Sequence, residues 1–83
     1  MKVQVRYFAS LREALGPGEA VDLPEGATVA TLRDALLARG GRHAEALARG
    51  RAVRCAVNQV MGDETAALSD GAEVAFFPPV TGG

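Results

Sequence analysis

One stretch of this 83-residue chain carries the apolar stripe of a substantial amphipathic helix, and strand-like runs lie on both sides of it. The stripe is made of Val29, Leu32, Ala35 and Leu36, with Leu37 at its edge. We assign Arg33, Asp34 and Arg39 to the opposite, polar face. Thr28 is a good N-cap, and Gly40-Gly41 ends the helix. A single stripe of this kind has to be buried against a sheet, which predicts a two-layer α+β domain.

Alternating polarity predicts the strands of that sheet. The predicted strands are residues 3–7, 19–23, 53–57, a short return at 60–61 after a tight turn at Asn58-Gln59, and 72–77. Ser10 and Glu13 predict a capping box that starts a short helix, and a second short helix is predicted over 42–49. Two strands, one main helix and further strands form the β-grasp, or ubiquitin-like, order, in which a mixed sheet packs on one helix and the first and last strands are parallel neighbours.

Composition excludes several classes of function. The net charge of −1 argues against a dedicated nucleic-acid binder, and no apolar run is long enough to span a membrane. The single cysteine and the lack of a signal-peptide pattern favour a cytoplasmic protein. Because His43 is the only histidine, we expect no Ser-His or Cys-His catalytic pair and no metal site.

Three further features have a structural interpretation that we prefer to a functional one. His43 lies among polar residues of a short helix, and Cys55 alternates with apolar neighbours like a buried core residue. Arg49, Arg51 and Arg54 form a basic cluster without aromatic residues. We favour a solvated loop and strand edge for this cluster, with a docking surface for an acidic partner as the alternative.

The C-terminal residues predict a function for the chain end. We assign residues 1–77 to the globular domain and 78–83 to a flexible tail that Pro78 and Pro79 stiffen at its root. Gly82 and Gly83 have no Cβ atom, so another protein's backbone can approach them closely. The tail could therefore deliver the Gly83 carboxylate to a remote active site, where reaction with ATP would activate it as an acyl-adenylate.

Alternation also predicts an apolar surface near this tail. In the last strand Phe77 points away from the helix, and Phe8 does so in the first strand. Because the two strands are expected to be parallel neighbours, Phe8 and Phe77 can meet at the tail end, and Met61 could join them. An apolar patch on an otherwise polar sheet face predicts a partner surface; the alternative is that one of these rings closes the core.

The tail carries a resemblance to a known family. Residues 70–83, DGAEVAFFPPVTGG, closely resemble the C-terminus of molybdopterin synthase small subunits, which are ubiquitin-like sulfur carriers of molybdenum cofactor biosynthesis. The resemblance continues in VRYFASLRE at 5–13 and in AVNQ at 56–59, and it is loose from about 40 to 54. Gly-Gly alone is shared by all ubiquitin-like proteins, whereas FFPPVTGG is much narrower.

The resemblance implies a fold, a cycle and a set of site residues. The fold is again the β-grasp. An adenylating enzyme related to ubiquitin-activating enzymes would use ATP on Gly83, a sulfur donor would make the thiocarboxylate, and the large synthase subunit would use that sulfur on a pterin precursor. The chain would bind no cofactor and would not be an enzyme alone. Gly83 with Gly82 would be the reacting end, and the partner contacts would be Phe8, Met61, Phe77, Pro78, Pro79, Val80 and Thr81.

Two alternatives stay open at this point. The chain could carry sulfur for another pathway, such as thiamine synthesis or transfer-RNA thiolation, although the Phe-Phe-Pro-Pro segment argues against it. It could also be a ubiquitin-like binding module or protein modifier that transfers no sulfur.

Overall fold

The computed structural model describes residues 1–79, which form a five-stranded mixed sheet and three helices. The strands are β1 (Lys2–Tyr7), β2 (Gly18–Asp22), β3 (Arg54–Val57), β4 (Val60–Gly62) and β5 (Glu73–Phe77). The helices are α1 (Ala9–Leu15), α2 (Val29–Leu37) and α3 (Gly41–Ala46). None of these helices is long and apolar enough to cross a membrane.

The order of strands across the sheet is β2-β1-β5-β3-β4. β1 is antiparallel to β2 and parallel to β5, while β3 is antiparallel to both β5 and β4. The first and last strands are therefore parallel neighbours near the middle of the sheet, as predicted, and the β-grasp assignment is confirmed.

The core lies between one face of the sheet and α2. Every second residue of β1 is buried, and Val74 and Phe76 are buried in β5. From α2, Val29, Leu32 and Leu36 are fully buried against them. Thr28 is confirmed as the N-cap, because its hydroxyl accepts a hydrogen bond from the Thr31 amide in a reciprocal capping box.

The start of α1 differs from the prediction. Phe8 is the N-cap, no side chain caps the helix, and the Ser10–Glu13 capping box is wrong. The reason is tertiary: the Phe8 amide donates to the Phe76 carbonyl of β5 at 3.1 Å, which holds Phe8 in extended conformation. The Phe8 carbonyl then accepts from the amides of Leu11 and Arg12, so the helix starts before Ser10 can act as a cap.

Arg33 also differs from the prediction, because it is buried at 4% exposure instead of lying on the polar face of α2. Its guanidinium donates to the carbonyls of Leu47 and Ala48 at 2.8 and 2.7 Å and to that of Arg51 at 3.4 Å. It also pairs with Glu64 at 3.4 Å. Three carbonyls of the segment that follows α3 thus accept hydrogen bonds from one buried cation.

Candidate functional site

The root of the C-terminal tail is fixed by the most central strand of the sheet. β5 lies between β1 and β3, and Phe76 in it is 1% exposed. The Phe76 ring stacks on Tyr7 with ring centroids 6.5 Å apart. Phe77, Pro78 and Pro79 are half-buried. The described chain therefore ends, at Pro79, directly after a well-anchored strand.

A largely apolar surface occupies part of the sheet face opposite α2, next to this root. We call it the outer patch, and its members are Phe8, Ala56, Met61, Ala75 and Phe77. Phe8 and Met61 are 39% and 58% exposed, which is high for side chains of this size. Ala75 pairs with Ala56, and Ala56 pairs with Met61, so one row of the patch runs across three strands.

Two arginines border the outer patch. The Arg6 guanidinium lies 5.7 Å from the centre of the Phe8 ring, within the range of a cation–π contact, and 3.9 Å from Glu73. Arg54 pairs with Phe77 across β3 and β5 and is exposed. An apolar centre with a charged rim is the usual composition of a protein-binding surface.

The structure brings together some of the predicted partner contacts. Phe77 faces away from the core as predicted, and Phe8 is exposed although it lies just beyond β1 and not within it. The Phe8 amide donates a hydrogen bond to the Phe76 carbonyl, so the backbone at Phe8 lies beside the peptide bond between Phe76 and Phe77. Met61 is separated from Phe77 by β3 and is linked to it through the small residues of the patch. The predicted site residues Val80, Thr81, Gly82 and Gly83 lie outside the described residues.

The sequence analysis missed a polar cluster between the sheet and α3. The Tyr7 hydroxyl donates to Glu19 at 2.8 Å, and the same carboxylate contacts His43 Nε2 at 2.7 Å and the Arg39 guanidinium. Burial and the hydrogen bond to Glu19 raise the pKa of Tyr7 well above its usual value, so it remains a donor. Burial alone would raise the pKa of Glu19, but hydrogen bonds from His43, Tyr7 and Arg39 outweigh it and lower that pKa. No spacing within the sequence links these four residues.

The other candidates have structural roles. Arg49 is ion-paired with Asp34 at 2.5 Å and with Glu64, so this part of the basic cluster is occupied internally. Cys55 is buried, as predicted, and burial, together with nearby Asp63 and Glu64, raises the pKa of its thiol. Such a thiol is a poor nucleophile at neutral pH. Residues 1–79 contain no group of three or more potential metal ligands.

Comparison with known proteins identifies the family to which this arrangement belongs. The chain matches the ThiS family over residues 5–83, from β1 through the two terminal glycines. The chain belongs to the ThiS family. Within this family it is 42% identical to the molybdopterin synthase sulfur carrier subunit of Escherichia coli over 81 residues, which cover 98% of this chain and 99% of the relative. The resemblance inferred from the tail is thereby confirmed.

Solved structures share the same β-grasp fold. A small archaeal modifier protein from Haloferax volcanii superposes with a TM-score of 0.81 at 28% identity, over 100% of both chains. A chain from a Helicobacter pylori complex of subunits 1 and 2 of the molybdopterin-converting factor matches with a TM-score of 0.71 at 25% identity, again over 100% of both chains. The β-grasp fold thus occurs both in a molybdopterin-converting factor complex and in a protein named as a modifier.

Proposed function

We propose that this chain is the sulfur carrier of molybdenum cofactor biosynthesis. The sulfur would be carried on the C-terminal carboxyl group of Gly83. The observation that carries the proposal is the match to a molybdopterin synthase sulfur carrier subunit, which covers 98% of this chain and 99% of that relative. The family match extends through Gly82 and Gly83, the residues that would react. The architecture agrees with this role, because β5 leads directly from the centre of the sheet to the tail.

The proposed chemistry has three steps. One oxygen of the Gly83 carboxylate attacks the α-phosphate of ATP, and pyrophosphate leaves. A donor of sulfide-level sulfur then attacks the acyl carbon and displaces AMP, which leaves a C-terminal thiocarboxylate. The thiocarboxylate sulfur displaces a leaving group from a carbon of the pterin precursor, and hydrolysis of the resulting thioester leaves the sulfur on the pterin and returns the Gly83 carboxylate. The chain supplies the reacting end, and its partners supply the catalytic groups.

Two protein partners follow from this cycle: an adenylating enzyme of the ubiquitin-activating type and the large subunit of molybdopterin synthase. The Helicobacter pylori relative is found in a complex with subunit 2 of its converting factor, which supports the second of these. We assign the outer patch to this docking, since it adjoins the tail root and exposes Phe8 and Met61. The half-buried Phe77, Pro78 and Pro79 would continue the contact into the tail.

We further propose that the chain itself holds no cofactor and acts in the cytoplasm. ATP would be bound by the adenylating enzyme and consumed there. The raised pKa of the Cys55 thiol agrees with sulfur transfer at the chain end, because it disfavours the thiolate that separate sulfur chemistry at Cys55 would need.

Mass spectrometry of the protein purified from its own cells tests the proposal. We expect a fraction of the chains to carry the mass increase of one oxygen replaced by sulfur, located on the C-terminal peptide. Deleting Gly83 should abolish this increase while thermal unfolding stays unchanged. Sulfur loading at Gly82 of the shortened chain, or no sulfur at all on the intact chain, would contradict the proposal.

A second candidate function is protein modification, and the structural likeness to the small archaeal modifier protein favours it. In that case the activated Gly83 carboxylate would form an amide bond with a lysine of another protein. The same purification distinguishes the two functions: isopeptide-linked conjugates ending in Gly-Gly on lysine indicate modification, whereas free chains with a terminal thiocarboxylate indicate sulfur transfer.

A further inference from the structure

A groove lies between α1 and α3, and none of its lining residues belongs to the outer patch. Its volume is about 330 Å³, at the lower end of the range for ligand sites. Leu11, Ala14 and Ala46 contribute apolar surface to it, and Leu11 belongs to the hydrophobic core. The groove floor is therefore apolar and continuous with the core, so it can receive an apolar side chain.

The rim of the groove carries two exposed arginines. Arg42 on α3 and Arg51 after it both line the groove and are exposed, and neither forms an ion pair within residues 1–79. Nearby Arg33, Arg39 and Arg49 have carboxylate partners, whereas Arg12 on α1 has none among residues 1–79 but does not line the groove. Glu45 is the one acidic residue that lines the groove. The rim is thus positively charged in a chain whose net charge is −1.

Both arginines project from anchored backbone. α3 is tied to the sheet through the His43–Glu19 hydrogen bond of 2.7 Å. The segment that ends at Arg51 is tied to α2 because buried Arg33 binds carbonyls along it, including that of Arg51. A ligand would therefore meet a groove that is already formed, which reduces the cost of binding.

We propose that this groove is a second docking site, for an acidic segment of a protein partner. An apolar side chain of the segment would lie on Leu11, Ala14 and Ala46, and carboxylates beside it would pair with Arg42 and Arg51. Two cations without aromatic neighbours are too few for a nucleic-acid surface. The proposal rests on the groove alone and not on sulfur transfer by Gly83.

A peptide titration followed by NMR tests the proposal. The probe is the end-blocked peptide Glu-Asp-Leu-Leu-Asp-Glu, added to the full 15N-labelled chain at low salt, and the control peptide is Gln-Asn-Leu-Leu-Asn-Gln. The variant is Arg42→Gln combined with Arg51→Gln. The matched control is Arg12→Gln, which removes an exposed charge on α1 that does not line the groove.

The expected result is that amide shifts cluster in α1 and α3 with the acidic peptide and are weak with the neutral one. The double variant should lower the affinity at least about fivefold, as expected for two exposed ion pairs, whereas Arg12→Gln should change it less than about twofold. An absence of shifts, shifts centred on the outer patch, or equal affinities of the double variant and the parent chain would overturn the proposal. None of these outcomes depends on the state of Gly83.

Discussion

At the scale of single residues, Arg33 has a role that its position in the helical pattern does not reveal. Its side chain is 5% exposed and binds carbonyls of Leu47, Ala48 and Arg51, which lie in a stretch without a hydrogen-bonded partner strand. A buried cation is tolerated only when its donors are satisfied, and here backbone carbonyls and Glu64 accept from the guanidinium.

Replacing Arg33 with Met should therefore destabilise the protein strongly. Met keeps the apolar stem but removes all donors, and we expect a loss of roughly 3 kcal/mol in the free energy of unfolding. Urea denaturation measures this loss, and Arg12→Met provides the control because Arg12 is exposed. A loss below about 1 kcal/mol for Arg33→Met would mean that water replaces the guanidinium at little cost.

The turn between β3 and β4 allows a stabilising change. Asn58 and Gln59 both have positive φ, at 48° and 69°. Glycine adopts this conformation without the steric cost that Gln pays, so Gln59→Gly should raise the stability by about 0.5–1 kcal/mol. Thermal unfolding measures the gain.

Asn58→Gly is the contrasting variant in the same turn. The Asn58 side chain accepts a hydrogen bond from the Glu73 amide at 3.0 Å, and glycine would lose this contact. We expect no net gain from Asn58→Gly. Equal stabilisation by both glycines would show that the hydrogen bond contributes nothing.

At the scale of elements, α3 is held to the sheet through the carboxylate of Glu19, whose pKa is lowered. A carboxyl group with a lowered pKa contributes stability above its unfolded pKa of about 4.3, and this contribution is lost as the pH falls through the folded pKa. Glu19→Gln should be less stable than the parent chain at neutral pH, and the difference should shrink between about pH 5 and pH 3. Melting temperatures of both proteins across this range test the sign, and a constant difference would contradict it.

The two faces of β5 should respond differently to truncation. Phe76 is buried, so Phe76→Ala should lower the stability by about 3–5 kcal/mol. Phe77 is half-buried on the opposite face, so Phe77→Ala should mainly weaken binding to the large synthase subunit, and Phe8→Ala should behave in the same way. Denaturant melts and calorimetric titrations of the three variants make the comparison. A stability loss for Phe77→Ala as large as that of Phe76→Ala would assign both rings to the core.

The polarity pattern of the sequence predicted the strands and the helix that bury one face against the core. Period-two alternation located β1 and β5, and Thr28 with the stripe from Val29 to Leu36 located α2, because these signals are local. The start of α1 and the burial of Arg33 depend instead on contacts with residues far away in the chain, Phe76 in one case and Leu47 in the other. The outer patch was predictable from alternation, whereas the cluster around Glu19 was not, since it joins four separate elements or their ends.

At the scale of the whole molecule, the globular domain should supply most of the binding free energy, and the tail should supply the reacting end. Ordering a glycine-rich tail costs roughly 1–2 kcal/mol per residue in backbone entropy, while the tail has little apolar area to offset this cost. The outer patch would then hold the complex and keep the tail end close to its pocket.

A synthetic peptide of residues 76–83 should therefore bind the large synthase subunit at least ~100-fold more weakly than the intact chain, a difference of about 2.7 kcal/mol. Calorimetry with both ligands measures the ratio. The matched control is the intact chain with Phe8→Ala, whose affinity should fall between the two. Equal affinities of peptide and intact chain would assign recognition to the tail alone.

The central position of β5 also determines when the β-sheet can be completed during synthesis of the chain. Until residues 73–77 have left the ribosome, the sheet consists of two separate hairpin-like halves, β1 with β2 and β3 with β4, which β5 alone connects. The hydrogen bonds between β1 and β5 join residues about 70 positions apart in the chain, and such distant contacts form late. A growing or prematurely ended chain would thus lack both the finished outer patch and the terminal glycines. The outer patch is therefore completed only when the last residues of the chain, close to the reactive end, have been made.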